Sequence, residues 1–168
     1  MKTYIILTTF VAATFSVAAQ GKLNPEQHEC NWYNAQKLER VEQQGTSNFH
    51  MERKSGSNWV FEYTHKVAEY AEVADDEKTT TLSFEFSPNR SGKFTLKNEE
   101  LSAANAYFML GCFCANRGFH KVNKGTISGT RLTRDTWLIK IDVEIDTKRG
   151  DGNPDRVNIK RRFKLKRA

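Results

Sequence analysis

Cys30, Cys112 and Cys114 are the most chemically capable residues in the sequence, and two of them stand two apart in Gly111-Cys112-Phe113-Cys114. In a strand, that spacing puts both sulfurs on one face. His28 lies two residues before Cys30, and thiolates with an imidazole suit zinc or copper. The spacing matches no zinc pattern, however, and in an oxidising compartment disulfide formation competes for the same sulfurs. The expectation is a structural disulfide from Cys30 to Cys112 or Cys114, with no metal and no cofactor. The odd count leaves one cysteine free, joined to another chain, or metal-bound.

The C-terminal segment offers a different chemistry. Arg156, Lys160, Arg161, Arg162, Lys164, Lys166 and Arg167 occur with no acid between them. In a strand the even-numbered members project together, so their fields add. Arg156, Lys160, Arg162, Lys164 and Lys166 are therefore candidates for binding an anion on a glycan, a surface or an acidic protein face. The same row also reads as a solvated face, with lysines protecting a terminal edge strand from aggregation. It lacks the interleaved aromatics on which single-stranded nucleic acid stacks, which argues against a nucleic-acid partner.

Other motifs fail on inspection. Asp151-Gly152-Asn153-Pro154-Asp155 begins like a calcium loop, but Arg156 replaces the required glycine and Arg162 the bidentate glutamate. Arg149-Gly150-Asp151 is an adhesion-type tripeptide, too short to carry weight. Asn89-Arg90-Ser91 is a glycosylation acceptor only for a eukaryotic source. The four histidines His28, His50, His65 and His120 lie in no nucleophile motif, and no phosphate loop or His-Glu-x-x-His occurs. The carboxylates of Asp75, Asp76 and Glu77 belong to a turn-like stretch, and Asp142 and Glu144 share a strand face with Lys140. The expectation is a non-enzymatic protein.

The compartment follows from the start of the chain. Lys2, an apolar run through Val17, and small residues at Val17 and Ala19 have the form of a secretory signal peptide over 1–19. That run is too short to span a membrane, and no later stretch approaches the ~18 apolar residues of a spanning helix. A secreted or periplasmic protein is expected, with about 150 residues after cleavage, enough for one core. The net charge of +6 falls only by Lys2 on cleavage, so the mature chain remains mildly basic.

These groups must be positioned by a largely β scaffold. A helical segment is expected over 20–45: Asn24 caps, Pro25 suits the first turn, Gln27 completes a capping box, and Gly45 stops it. From 46 to 168 the period is two. Strands are expected near 47–54, 58–72, 78–87, 92–97, 106–114, 119–132, 136–146 and 156–166, with a short helical or irregular lead before the fifth. Trp137, Ile139, Ile141, Val143 and Ile145 make one dry face, and Val157, Ile159, Phe163 and Leu165 another, the habit of antiparallel sheets. About eight strands fit an antiparallel β-sandwich or a closed β-barrel.

Three functions suit such a scaffold. The first is an exported binding protein that recognises an extracellular or periplasmic protein or glycan. Its loops Asp146–Asp155 and Leu110–Lys124 are where partners would dock. The second is a small-molecule carrier. Eight strands behind a leader, with Trp59 near the start of a strong strand, resemble a lipocalin-type barrel in outline. The Gly-x-Trp spacing is absent, since Gly56 stands three before Trp59, and no helix follows the last strand, so no family is assigned. Phe61, Phe84, Phe86, Phe94, Phe108 and Phe163 would line the cavity of such a carrier or fill a solid core. The third is an eight-stranded outer-membrane barrel.

Overall fold

In the computed structural model, residues 23–45, 49–70, 77–88, 92–147 and 154–167 are described. The expected leader lies outside them, as do Asn89–Ser91 and the stretch from Arg149 to Asn153. The period-two segments form strands. In chain order these are β1 (Leu23–Asn24), β2 (Gln27–Glu42), β3 (Phe49–Ser55), β4 (Asn58–Lys66), β5 (Glu69–Tyr70), β6 (Thr79–Phe86) and β7 (Lys93–Lys97). After α1 (Glu99–Ala103) come β8 (Tyr107–Gly111), β9 (Gly118–Lys121), β10 (Lys124–Thr133), β11 (Thr136–Ile145) and β12 (Asp155–Leu165). The expected lead before the fifth strand is α1, and the expected strand 119–132 divides at Val122-Asn123 into β9 and β10.

Ten of these strands make one sheet in the order β7-β10-β11-β12-β2-β4-β6-β8-β9, with β3 added to β2; β1 and β5 form a separate ribbon. The sheet curls into an open half-barrel, mainly β as expected. Its end strands β7 and β9 have no pairing with each other among the described residues. The curl is visible in Phe94 of β7, whose ring lies 4.3 Å from Phe86 and 5.8 Å from Phe61, strands from the other half of the path. Phe61 is the hub. Phe84, Phe94, Trp137 and Phe163 all lie within 5.1–6.1 Å of it. Such ring pairs add roughly 1 kcal/mol each beyond the area they bury. Gly129, opposite Phe94 on β10, makes room for that ring: a Cβ there would meet Phe94 at 2.3 Å. Leu101 of α1 drops fully buried into the same core.

The segment expected to be helical is instead the longest strand. β2 alternates because two adjacent aromatics must leave in opposite directions. Trp32 enters the main core, while Tyr33 joins Leu38 and Val60 in a smaller one behind it. A helix would set the two side chains on neighbouring azimuths and bury only one cluster. Tertiary burial overrides the capping signal at Asn24–Gln27. A bulge follows at Ala35, with φ 54°. Beyond it, β2 leaves most of β4 and pairs with β3.

Every pairing is antiparallel except that of β12 with β2, which is parallel and confined to Lys164↔Asn31 and Leu165↔Trp32. This seam is fastened by Trp32 Nε1 donating to Asp135 O at 3.1 Å, Leu165 N to Asp135 O at 2.9 Å, and Lys166 N to Trp32 O at 2.9 Å. N-terminal of the seam no pairing joins the two strands among the described residues, and a hollow lined by His28, Cys30 and Arg161 forms a cleft there. The basic strand β12 is therefore not an edge strand as expected. It lies mid-sheet, with one flank left uncovered among the described residues.

Candidate binding cleft between β2 and β12

The residues at the cleft come from three inward-facing rows whose apolar run gives way to polar groups. On β2, Trp32 is preceded by Cys30 and His28. On β4, Phe61 is followed by Tyr63 and His65. On β12, Val157 and Ile159 are followed by Arg161 before Phe163 restores the core. Arg161 is exposed on a row otherwise directed into the core, because among the described residues no strand pairs with that flank of β12.

Antiparallel register sets His28 opposite His65 and Cys30 opposite Tyr63. The two imidazoles stack with centroids 4.6 Å apart. His28 Nδ1 lies 2.9 Å from the Tyr63 hydroxyl, and its Nε2 lies 3.4 Å from Glu26 Oε1. The same Glu26 oxygen receives His65 Nε2 at 2.6 Å. Burial pushes the Cys30 thiol up, while the Arg161 guanidinium pulls it the other way. Burial likewise pushes the Tyr63 phenol up, aided by Cys30 and Glu26 and opposed by Arg161. At neutral pH both are protonated, so Cys30 is not an activated nucleophile, and Tyr63 acts as a neutral hydrogen-bonding group.

Two hollows adjoin this cluster. The larger, about 720 Å³, lies along the cleft and is lined by His28, Cys30, Arg161 and the outward row Lys160, Arg162 and Lys164. The smaller, about 300 Å³, reaches between β4 and β12 past Tyr63, His65, Val157 and Ile159. The even-numbered cations of β12 are exposed and share a face, as their spacing predicts. Arg156 is the exception in function, since its guanidinium is spent on Asp142 Oδ1 at 3.0 and 3.2 Å. Among the described residues, no ion pair engages Lys160, Arg161, Arg162, Lys164 or Lys166. Lys140 faces Lys160 across the β11–β12 pair, which adds to the positive field.

The cysteines divide differently from expectation. Cys112 and Cys114 stand at disulfide distance from one another, their Cα atoms 5.3 Å apart, and Cys30 is a free thiol. Three strand spacings separate β2 from β8, which Cys112 follows directly. At about 4.8 Å each, that is roughly twice the reach of a disulfide. The same separation removes Cys112 and Cys114 from any metal site with His28 and Cys30. The expected docking loop 110–124 is instead divided by β9, and the β8–β9 connection over 112–117 carries this pair, with Phe113 75 % exposed. Of the other expected docking loop, 148–153 lies outside the described residues.

Comparison with known proteins finds no family, no curated relative and no solved structure that matches the chain.

Sequence reasoning missed Glu26, His65 and Arg161 as site residues. Nothing local marks them, because β4 delivers His65 and β12 delivers Arg161 to β2 only through long-range pairing. It also missed Glu85, a buried carboxylate on the opposite face of the wall. Leu38 N and Asn105 Nδ2 donate to its Oε1 at 2.6 and 3.0 Å, and Asn58 Nδ2 to its Oε2. Its own N–H donates to Ala104 O at 2.7 Å.

Proposed function

We propose that the chain is an exported binding protein and that the cleft between β2 and β12 receives an acidic, extended segment of a partner protein. One observation carries this reading: among the described residues, the flank of β12 is uncovered and bordered by cations without an ion-pair partner. A strand with an open flank offers backbone donors and acceptors to an added strand. Lys160, Arg161, Arg162 and Lys164 supply charge that selects acidic side chains and speeds encounter. The raised thiol of Cys30 and the absence of a nucleophile motif favour binding over catalysis.

The carrier alternative has weaker support, because Phe61, Phe84, Phe94 and Phe163 pack on one another instead of lining a cavity. A membrane barrel is likewise disfavoured, since its apolar rows would face lipid, whereas here they face the aromatic core and the outward row of β12 is cationic.

The test is fluorescence anisotropy with a labelled glutamate-rich peptide and, separately, an acidic oligosaccharide. The peptide binds wild type, and the double variant Lys160→Glu with Arg162→Glu weakens it at least about tenfold, with affinity falling as salt rises. Equal affinity in wild type and variant overturns the reading. Preference for the oligosaccharide would move the partner class from protein to glycan.

A further inference from the structure

We propose that Glu26, His28 and His65 form a binding site for a zinc-class divalent transition ion. The site lies at the N-terminal mouth of the cleft and is independent of the cationic row. Three donor atoms converge there, one ring nitrogen from each histidine and a Glu26 carboxylate oxygen, all within 4.8 Å of one another. Two imidazoles and one carboxylate are the ligand set of an open zinc site, with a fourth position left for water or an exogenous donor.

The geometry requires little movement. Tetrahedral ligands at about 2.1 Å from zinc stand ~3.4 Å apart. Glu26 Oε1 is already 3.4 Å from His28 Nε2 and 2.6 Å from His65 Nε2. Small side-chain rotations, one opening the short contact and one closing the longest, complete the triangle. The backbone is fixed by the β2–β4 register that sets His28 opposite His65.

The outer partner is also in place. A histidine that ligates through Nε2 ordinarily donates its Nδ1–H to an oxygen that fixes its tautomer and orientation. Here Tyr63 Oη lies 2.9 Å from His28 Nδ1. Accepting from Nδ1–H, it leaves the Nε2 lone pair directed at Glu26 and the ion. The side chains are a quarter to a half exposed, which gives the ion a path in. His50, by contrast, pairs with Glu52, and His120 contacts the Asn116 carbonyl. Among the described residues neither joins a second imidazole.

The test is titration of the purified protein with Zn²⁺ by calorimetry, and with Co²⁺ by visible absorption. One equivalent binds, and Co²⁺ gives the intense bands of a tetrahedral site. His28→Gln and His65→Gln each lower affinity at least about tenfold. Tyr63→Phe lowers it by a smaller factor, as a positioning residue should, and His50→Gln leaves it unchanged. Circular dichroism of each variant confirms folding. Absence of saturable binding, or the same affinity in His50→Gln and His65→Gln, overturns the proposal. Because the cationic row is untouched by these variants, peptide binding and metal binding can fail separately.

Discussion

Glu85 and the Glu26–His28–His65 group are both polar clusters built against the same curled wall, and they differ in what completes them. Glu85 is 6 % exposed, and three donors from β2, β4 and the end of the α1 turn converge on its carboxylate. It is a closed cluster that ties strands together. The cleft cluster is open. Its groups contact one another along one side, and on the other they border a hollow and a strand flank that no described residue pairs. A polar network satisfied from within contributes rigidity. One left partly unsatisfied at a surface is available to a ligand.

The largest expected effect breaks the closed cluster. Glu85→Ala leaves the Leu38 amide and two asparagine amides without their acceptor, which costs about 3 kcal/mol, read as a lowered denaturant midpoint. A loss no greater than that of His65→Gln would erase the distinction between the clusters.

Next is the seam that bounds the cleft. Trp32→Phe keeps a ring in the core but removes the hydrogen bond to Asp135 O, costing about 1–2 kcal/mol. It also loosens the one place where β2 holds β12. Hydrogen exchange should quicken at residues 31–32 and 164–165 before it changes elsewhere. Uniform quickening would mean that the seam is not a separate element.

The cleft cations come third. Lys160→Glu with Arg162→Glu should leave the unfolding transition nearly in place, since exposed charges contribute little, while peptide binding falls. A large stability loss instead would make the row structural.

The smallest effect is in alkali. Burial, then the neighbouring Glu62, pushes the Tyr33 phenol up, with Arg53 in opposition. Its folded pKa exceeds the unfolded value near 10, so its contribution is full below that value and is lost as pH rises through the folded one. Tyr33→Phe should flatten the alkaline decline of stability, and absorbance should show a phenol ionising later than free tyrosine. An unchanged decline would assign it to other groups.

These contrasts also show what the sequence can convey. Trp137 to Ile145 and Val157 to Leu165 announce their strands because alternation is local. β2 conceals itself, since its capping residues and helix formers speak locally for a helix, while Trp32 and Tyr33 are settled by two cores assembled from elsewhere. The cationic row was legible for the same reason as the strands. The cleft was not, because it opens only beside the two residue pairs at which β12 meets β2 in parallel. The cysteine pairing went astray because strand order, and not sequence spacing, fixes which sulfurs can meet.

The most direct test of an open cleft is hydrogen exchange of the purified protein with and without the glutamate-rich peptide. Protection confined to residues 156–163 and 27–31, with 36–42 and 82–86 unchanged, is the predicted result. No protection in the cleft at saturating peptide, or equal protection around Glu85, would contradict the account.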